Sequence, residues 1–134
     1  MFLYLAHHGE AVSSDEDPQR PLSEAGVKGV RRLAREAAAR QVKPAAIWHS
    51  GKLRARQTAE AFWRECNALS DSLAVRGLQS SDPPSWIDRR VGDLTEDTLL
   101  VGHLPNIEAL LKLLAGDATV DFPTHGMVDR KSVV

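Results

Sequence analysis

The residues best able to do chemistry occupy three places along a chain of 134 residues. His7 and His8 follow a short apolar run at residues 2–6 and precede Gly9. Lys52 and Arg54 follow a second run, residues 45–48, across the turn His49-Ser50-Gly51. His103 follows a third, residues 98–101, immediately after Gly102. Brought together, three imidazoles, a guanidinium and the backbone N–H at Gly9 would line a cationic pocket, whose natural guest is a compact oxyanion such as phosphate. A guanidinium forks onto phosphate oxygens, and the free N–H groups of a helix start add donors. A histidine presented there can attack phosphorus and form a covalent phosphoramidate. Taken singly, each residue has an ordinary reading: His103 as a loop or cap residue, Arg54 as a solvated helix residue, His7 as a surface group. Their shared position at strand ends is what argues for one site.

That position depends on the elements between them. Ser23 reads as a helix N-cap, with Leu22 before it and Val27 four residues on as a hydrophobic staple. Val27, Val30, Ala34 and Ala37 fall on one helical face, and the helix runs to about Arg40, ending before Pro44. A second helix extends from Leu53 to about Cys66. Asp82-Pro83-Pro84 breaks the chain, and residues 86–90 form a short helix. Ile107, Leu110, Leu111 and Leu114 make a stripe on another helix, stopped by Gly116. Residues 75–78 carry no clear signal, residues 120–122 suggest a last inner strand, and residues 129–134 are weakly patterned. Alternating strands and helices predict a single α/β domain over residues 1–134, a three-layer sandwich with a mainly parallel central sheet and helices on both faces. In such sheets ligands sit beyond the carboxyl ends of the strands.

Composition narrows the classes of function. Hydrophobic residues are 43%, charged residues 26% and the net charge is −1, a balance that does not favour nucleic acid as a partner. Cys66 is the single cysteine, so there is no intrachain disulfide and no cysteine-rich metal cluster. No apolar stretch approaches the ~20 residues of a membrane span, and the opening MFLYLAHHGE lacks the basic lead-in of a signal peptide. The expectation is a cytoplasmic protein away from membranes. A metal-dependent hydrolase built on His7, His8 and His103 is disfavoured, because no carboxylate stands at a familiar ligand spacing and adjacent histidines in a strand point to opposite sides.

Four segments resemble motifs of the histidine phosphatase superfamily, in particular its short SixA-type phosphohistidine phosphatase branch. Leu5-Ala6-His7-His8-Gly9-Glu10 stands where that family has a strand ending Arg-His-Gly-Glu. Pro21-Leu22-Ser23-Glu24-Ala25-Gly26 matches its helix start. Ser50-Gly51-Lys52-Leu53-Arg54-Ala55-Arg56-Gln57-Thr58-Ala59 matches its second-strand motif, and Val101-Gly102-His103-Leu104-Pro105 its Gly-His-x-Pro. Their order and spacing hold from Phe2 to about Phe122. The resemblance implies a phosphoglycerate mutase-like fold, His8 as the phosphorylated nucleophile, Arg54 and His103 as clamps on the phosphoryl oxygens, His7 and Gly9 beside them, and no metal or organic cofactor. It implies a phosphohistidine-bearing protein as the partner.

Two departures bear on mechanism. His7 replaces the family's arginine, so the anion clamp is weaker or works best with His7 protonated. Larger members carry a carboxylate that protonates an alcohol leaving group, and Val75-Arg76-Gly77-Leu78 offers none. Asp82 is the nearest candidate acid, though within Ser81-Asp82-Pro83-Pro84 it reads equally as a turn cap. A site without a dedicated acid suits phosphohistidine, whose imidazole leaves more readily than an alkoxide. The alternatives are a phosphatase of small metabolites and a module that binds phosphate or phosphoprotein without turnover.

Overall fold

The computed structural model describes residues 1–117 and 119–131. Five strands, β1 (Phe2–His7), β2 (Ala46–His49), β3 (Asp71–Ala74), β4 (Thr98–Gly102) and β5 (Met127–Lys131), form one sheet in the order β3-β2-β4-β1-β5. Helices α1 (Glu24–Ala39), α2 (Leu53–Cys66), α3 (Pro84–Val91) and α4 (Asn106–Ala115) connect them. All pairings are parallel except β1 with β5.

The strands at the centre are apolar throughout because both faces are covered. Successive side chains alternate between two cores. Leu3, Leu5, Ala46, Trp48 and Leu100 pack with Ile87 and Val91 of α3 and Ile107, Leu110 and Leu111 of α4. Tyr4, Ala6, Ile47, Leu99 and Val101 pack with Ala34 and Ala37 of α1 and Ala55, Ala59 and Phe62 of α2. This is the predicted three-layer arrangement. Register sets the carboxyl ends level: His7 lies opposite Gly102, and His49 opposite Val101.

The helix signals translate directly. Ser23 caps α1, its hydroxyl accepting from the Gly26 amide, and Gly116 ends α4 in the left-handed conformation at φ 66°. One face was misjudged. Val27 is 38% exposed, and the buried stripe runs Gly26, Val30, Ala34, Ala37. The cause is the close approach of Gly26 to the backbone of Glu10, which a Cβ at Gly26 would strike. That approach turns Gly26 inward and Val27, one residue on, outward.

Three expectations at the sheet edges are corrected. β3 was not anticipated; its four residues are all exposed, so an edge strand paired only with β2 carries no apolar pattern. Residues 120–122 form no strand. Phe122 is buried, but its amide donates to Glu108 Oε2 at 2.9 Å instead of a ladder. The closing strand is β5, which begins at Met127 and runs into the tail read as weakly patterned, and its register runs antiparallel against β1 from Phe2 to Ala6. Residues 132–134 of that tail lie outside the described residues.

Candidate active site

His8 leaves β1 with its amide donating to Gly102 O at 3.1 Å, which ties it to the end of β4. Its Nδ1 lies 2.7 Å from Gly9 O. A carbonyl only accepts, so Nδ1 carries the hydrogen and Nε2 keeps its lone pair. The ring is buried, and that burial, with a smaller contribution from the nearby Arg54, His125 and Arg20, brings its pKa down to about 4 despite the Gly9 carbonyl. At neutral pH the ring is an uncharged imidazole with a lone pair at Nε2, the state a nucleophile needs.

His103, expected at the same place, is there. It follows β4, its ring centroid is 4.9 Å from that of His8, and its Nε2 is 2.6 Å from Ser50 Oγ at the end of β2. Burial first, then His8 and Arg54, lower its pKa to about 3. Arg54 stands in the first turn of α2, and its charge is felt by His7, His8 and His103. Its Nε is buried without a hydrogen-bond partner. A buried guanidinium N–H with nothing to donate to is a costly group, and an oxyanion would satisfy it.

His7 lies beside His8, centroids 4.3 Å apart, and its ring is stacked on that of His125 at 4.8 Å and 7°. Its Nδ1 accepts from the backbone N–H of His125 at 2.8 Å, which leaves the hydrogen of the neutral ring on Nε2. Burial, with His8, His125 and Arg54 adding repulsion, lowers its pKa to about 3. In this arrangement His7 is a neutral donor through Nε2.

Gly9 also has a different part from the one expected. Its amide donates to Thr58 Oγ1 at 3.0 Å, and Thr58 Oγ1 donates to Arg54 O at 2.8 Å, so that N–H is engaged. A Cβ at Gly9 would strike Val30 and crowd Leu22 and the Gly26 carbonyl at 3.3 Å each. Gly9 therefore lets the loop lie against α1, where the Ser23 hydroxyl donates to Glu10 Oε2 at 2.8 Å. Asp82 caps its own turn: Oδ2 accepts from the Gln79 amide at 3.0 Å, and its carbonyl from Asn106 Nδ2 at 2.8 Å.

His125 and Ser50 were not assigned roles from sequence. Ser50 lies in a quoted motif at a strand end, which was the available signal. His125 had none, because its place depends on the unforeseen β5. It has φ 54°, an uncommon conformation for a residue with a side chain, and its Nδ1 donates to His8 O at 2.7 Å. Nitrogens of His7, His8 and His125 lie within 4.8 Å of one another, a spacing that a metal ion could occupy. His8 and His125 each direct an N–H at a carbonyl, as metal ligands do. His7 does not fit that set, since its Nδ1 is taken by an amide and its other nitrogen carries hydrogen. The His7 N–H donor and the unpartnered Arg54 guanidinium suit an oxyanion better than a cation.

The family model described as histidine phosphatase superfamily (branch 1) matches residues 3–79, more than half of the chain. Among solved structures, one assigned as phosphohistidine phosphatase SixA from Agrobacterium tumefaciens is 27% identical, with TM-score 0.79, covering 96% of this chain and 89% of that one. The protein histidine phosphatase SixA complexed with tungstate is 24% identical, with TM-score 0.87 and coverage of 96% and 86%. A phosphoglycerate mutase from Plasmodium falciparum shares the fold at 17% identity, TM-score 0.66, over 84% and 67%. No curated protein matches the sequence.

Proposed function

The chain belongs to the histidine phosphatase superfamily, and we propose that it removes phosphate from phosphohistidine on another protein, through a phosphoryl group carried transiently on His8. The observation that carries this reading is His8 itself: a buried, neutral ring, Nδ1 held by Gly9 O and Nε2 free, beside His103 and the charge of Arg54. Nε2 attacks phosphorus, the leaving group departs, and water then hydrolyses the N–P bond to release inorganic phosphate. Arg54, His103 and the N–H of neutral His7 act as donors to the phosphoryl oxygens as negative charge builds. Gly9 serves by its small size.

The substrate class follows from the acid. Asp82, the sequence candidate, is occupied in its own turn. An alkoxide leaving group would depart without a carboxylic acid to protonate it, a poor prospect beside a departing imidazole. Structural similarity to SixA proteins supports the same substrate class. A partner in a phosphorelay or phosphotransfer pathway would place the chain in the cytoplasm; among the described residues no helix is long and apolar enough to cross a membrane.

The test is turnover of a phosphohistidine protein and of p-nitrophenyl phosphate side by side, with acid-quench avoided so that a radiolabelled phosphoramidate on His8 survives. Label on the wild type and none on His8→Ala is the expected result. Tungstate binding without label or turnover would instead identify a phosphate-binding module, and turnover confined to small phosphate esters a metabolite phosphatase.

A further inference from the structure

The His8 site has a fourth imidazole, His125, whose ring centroid is 5.9 Å from that of His8. His125 is exposed, so its ring is open to a substrate displayed on another protein. Its backbone is fixed by three contacts: its amide donates to His7 Nδ1 at 2.8 Å, its ring Nδ1 donates to His8 O at 2.7 Å, and its ring stacks on His7. An uncommon φ of 54° persists only where the surroundings over-determine it, and such residues collect at functional sites. With Nδ1 committed to His8 O, Nε2 is the nitrogen left to exchange a proton. The side-chain nitrogens of His8 and His125 are within 4.8 Å, close enough for both to touch one phosphoryl group or its leaving atom.

We propose that His125 is the general acid and base of this site. The inference rests on the phosphohistidine phosphatase reading. In the first step His125 enters as imidazolium, with Nδ1–H on His8 O and a second proton on Nε2; His8 Nε2 bonds to phosphorus, the bond from phosphorus to the substrate imidazole breaks with its electron pair going to that nitrogen, and the nitrogen takes the Nε2 proton, leaving His125 neutral. In the second step water adds to phosphorus, His125 Nε2 takes the water proton, and the N–P bond breaks with its pair returning to His8 Nε2. Phosphate leaves, and His125 holds its proton again.

His125→Asn tests this with little disturbance, because asparagine tolerates the left-handed backbone and its amide can still donate to His8 O. Leaving-group release is measured in a single turnover on a phosphohistidine peptide and on 2,4-dinitrophenyl phosphate, whose phenolate needs no proton. The expected result is a loss of about a hundredfold on the peptide and less than about threefold on the aryl phosphate. His125→Gly, which suits the same φ, should regain peptide turnover when imidazole is added. Equal losses on both substrates, with no rescue, would make His125 a prop for His7 and His8 and overturn the acid role. A wild-type protein that never labels His8 overturns the underlying reading, and this inference with it.

Discussion

The site should make the fold acid-sensitive well above the range where carboxylates titrate. His7, His8 and His103 are neutral in the folded protein, with pKa values brought from 6.5 to about 3, 4 and 3. The unfolded chain binds protons at these histidines from about pH 6.5 downward, and the folded chain does not until about pH 4 to 3. The unfolded state therefore holds more protons in that window, and stability falls as pH falls through it. At pH 5 one such group costs about 2 kcal/mol, so the three together could cost at most about 6. The three titrations are coupled and do not add independently, so a net loss of about 2–4 kcal/mol is expected, a large share of a typical domain's stability. His49, whose pKa burial also lowers, adds in the same direction. Urea melts at pH 7.5, 6.5, 5.5 and 5.0 without phosphate measure it, and sulfate should flatten the slope by favouring protonated rings. A stability unchanged from pH 7.5 to 5.0, or a slope that survives in the double variant His7→Gln, His103→Gln, would refute the assignment of neutral, buried rings.

Further outcomes follow from the same geometry. Arg54→Lys should weaken tungstate binding about tenfold or more, read by calorimetry, because a point charge cannot supply the guanidinium fork whose Nε now lacks a partner. Gly26→Ala should destabilise the fold by about 1–3 kcal/mol in a urea melt, since its Cβ meets the Glu10 backbone and the loop carrying His8 and Gly9 must shift. After allowance for the substrate's own titration, kcat/KM should show no acid-side loss from His8 between pH 7 and 5.5. An unshifted histidine would give about a tenfold fall there.

What the sequence made legible was whatever local chemistry or deep burial writes into it. Ser23 and Gly116 mark helix ends because caps need those residue types, and residues 98–101 read as a strand because both faces are buried. The convergence of His8, Arg54 and His103 followed from one topological rule about strand ends. The edges were illegible for the same physical reason in reverse. β3 exposes every residue, Leu73 included, so no buried face writes a pattern into it. β5 is set by its pairing with β1, a long-range choice that no local pattern of Met127, Val128 and Asp129 encodes. His125 was lost with it, since its place beside His7 is a consequence of that pairing. Protonation was illegible too: a neutral His7 depends on burial and on an amide arriving from 118 positions along the chain.

The exchange of arginine for histidine at position 7 then has a consequence for affinity that the geometry defines. A guanidinium there would stand permanently charged beside Arg54 and add a second guanidinium to the pocket. With His7, the pocket is built from the Arg54 guanidinium and neutral rings, so a phosphate dianion meets Arg54, the more distant charges of Arg20 and Lys52, and N–H donors. Neutral donors contribute roughly half of what charged ones do, so inorganic phosphate should bind weakly and leave readily. His7→Arg should tighten inhibition by phosphate about tenfold or more, the worth of one charge-assisted bond. It should also lower kcat where product release limits turnover. The measurement is the phosphate inhibition constant of wild type and variant at pH 7.5, with a urea melt to establish that the variant is folded. The same or weaker inhibition in a folded His7→Arg protein would mean that the ring at position 7 does not touch the oxyanion. Its stacking on His125 and its bond to the His125 amide would then be its whole contribution.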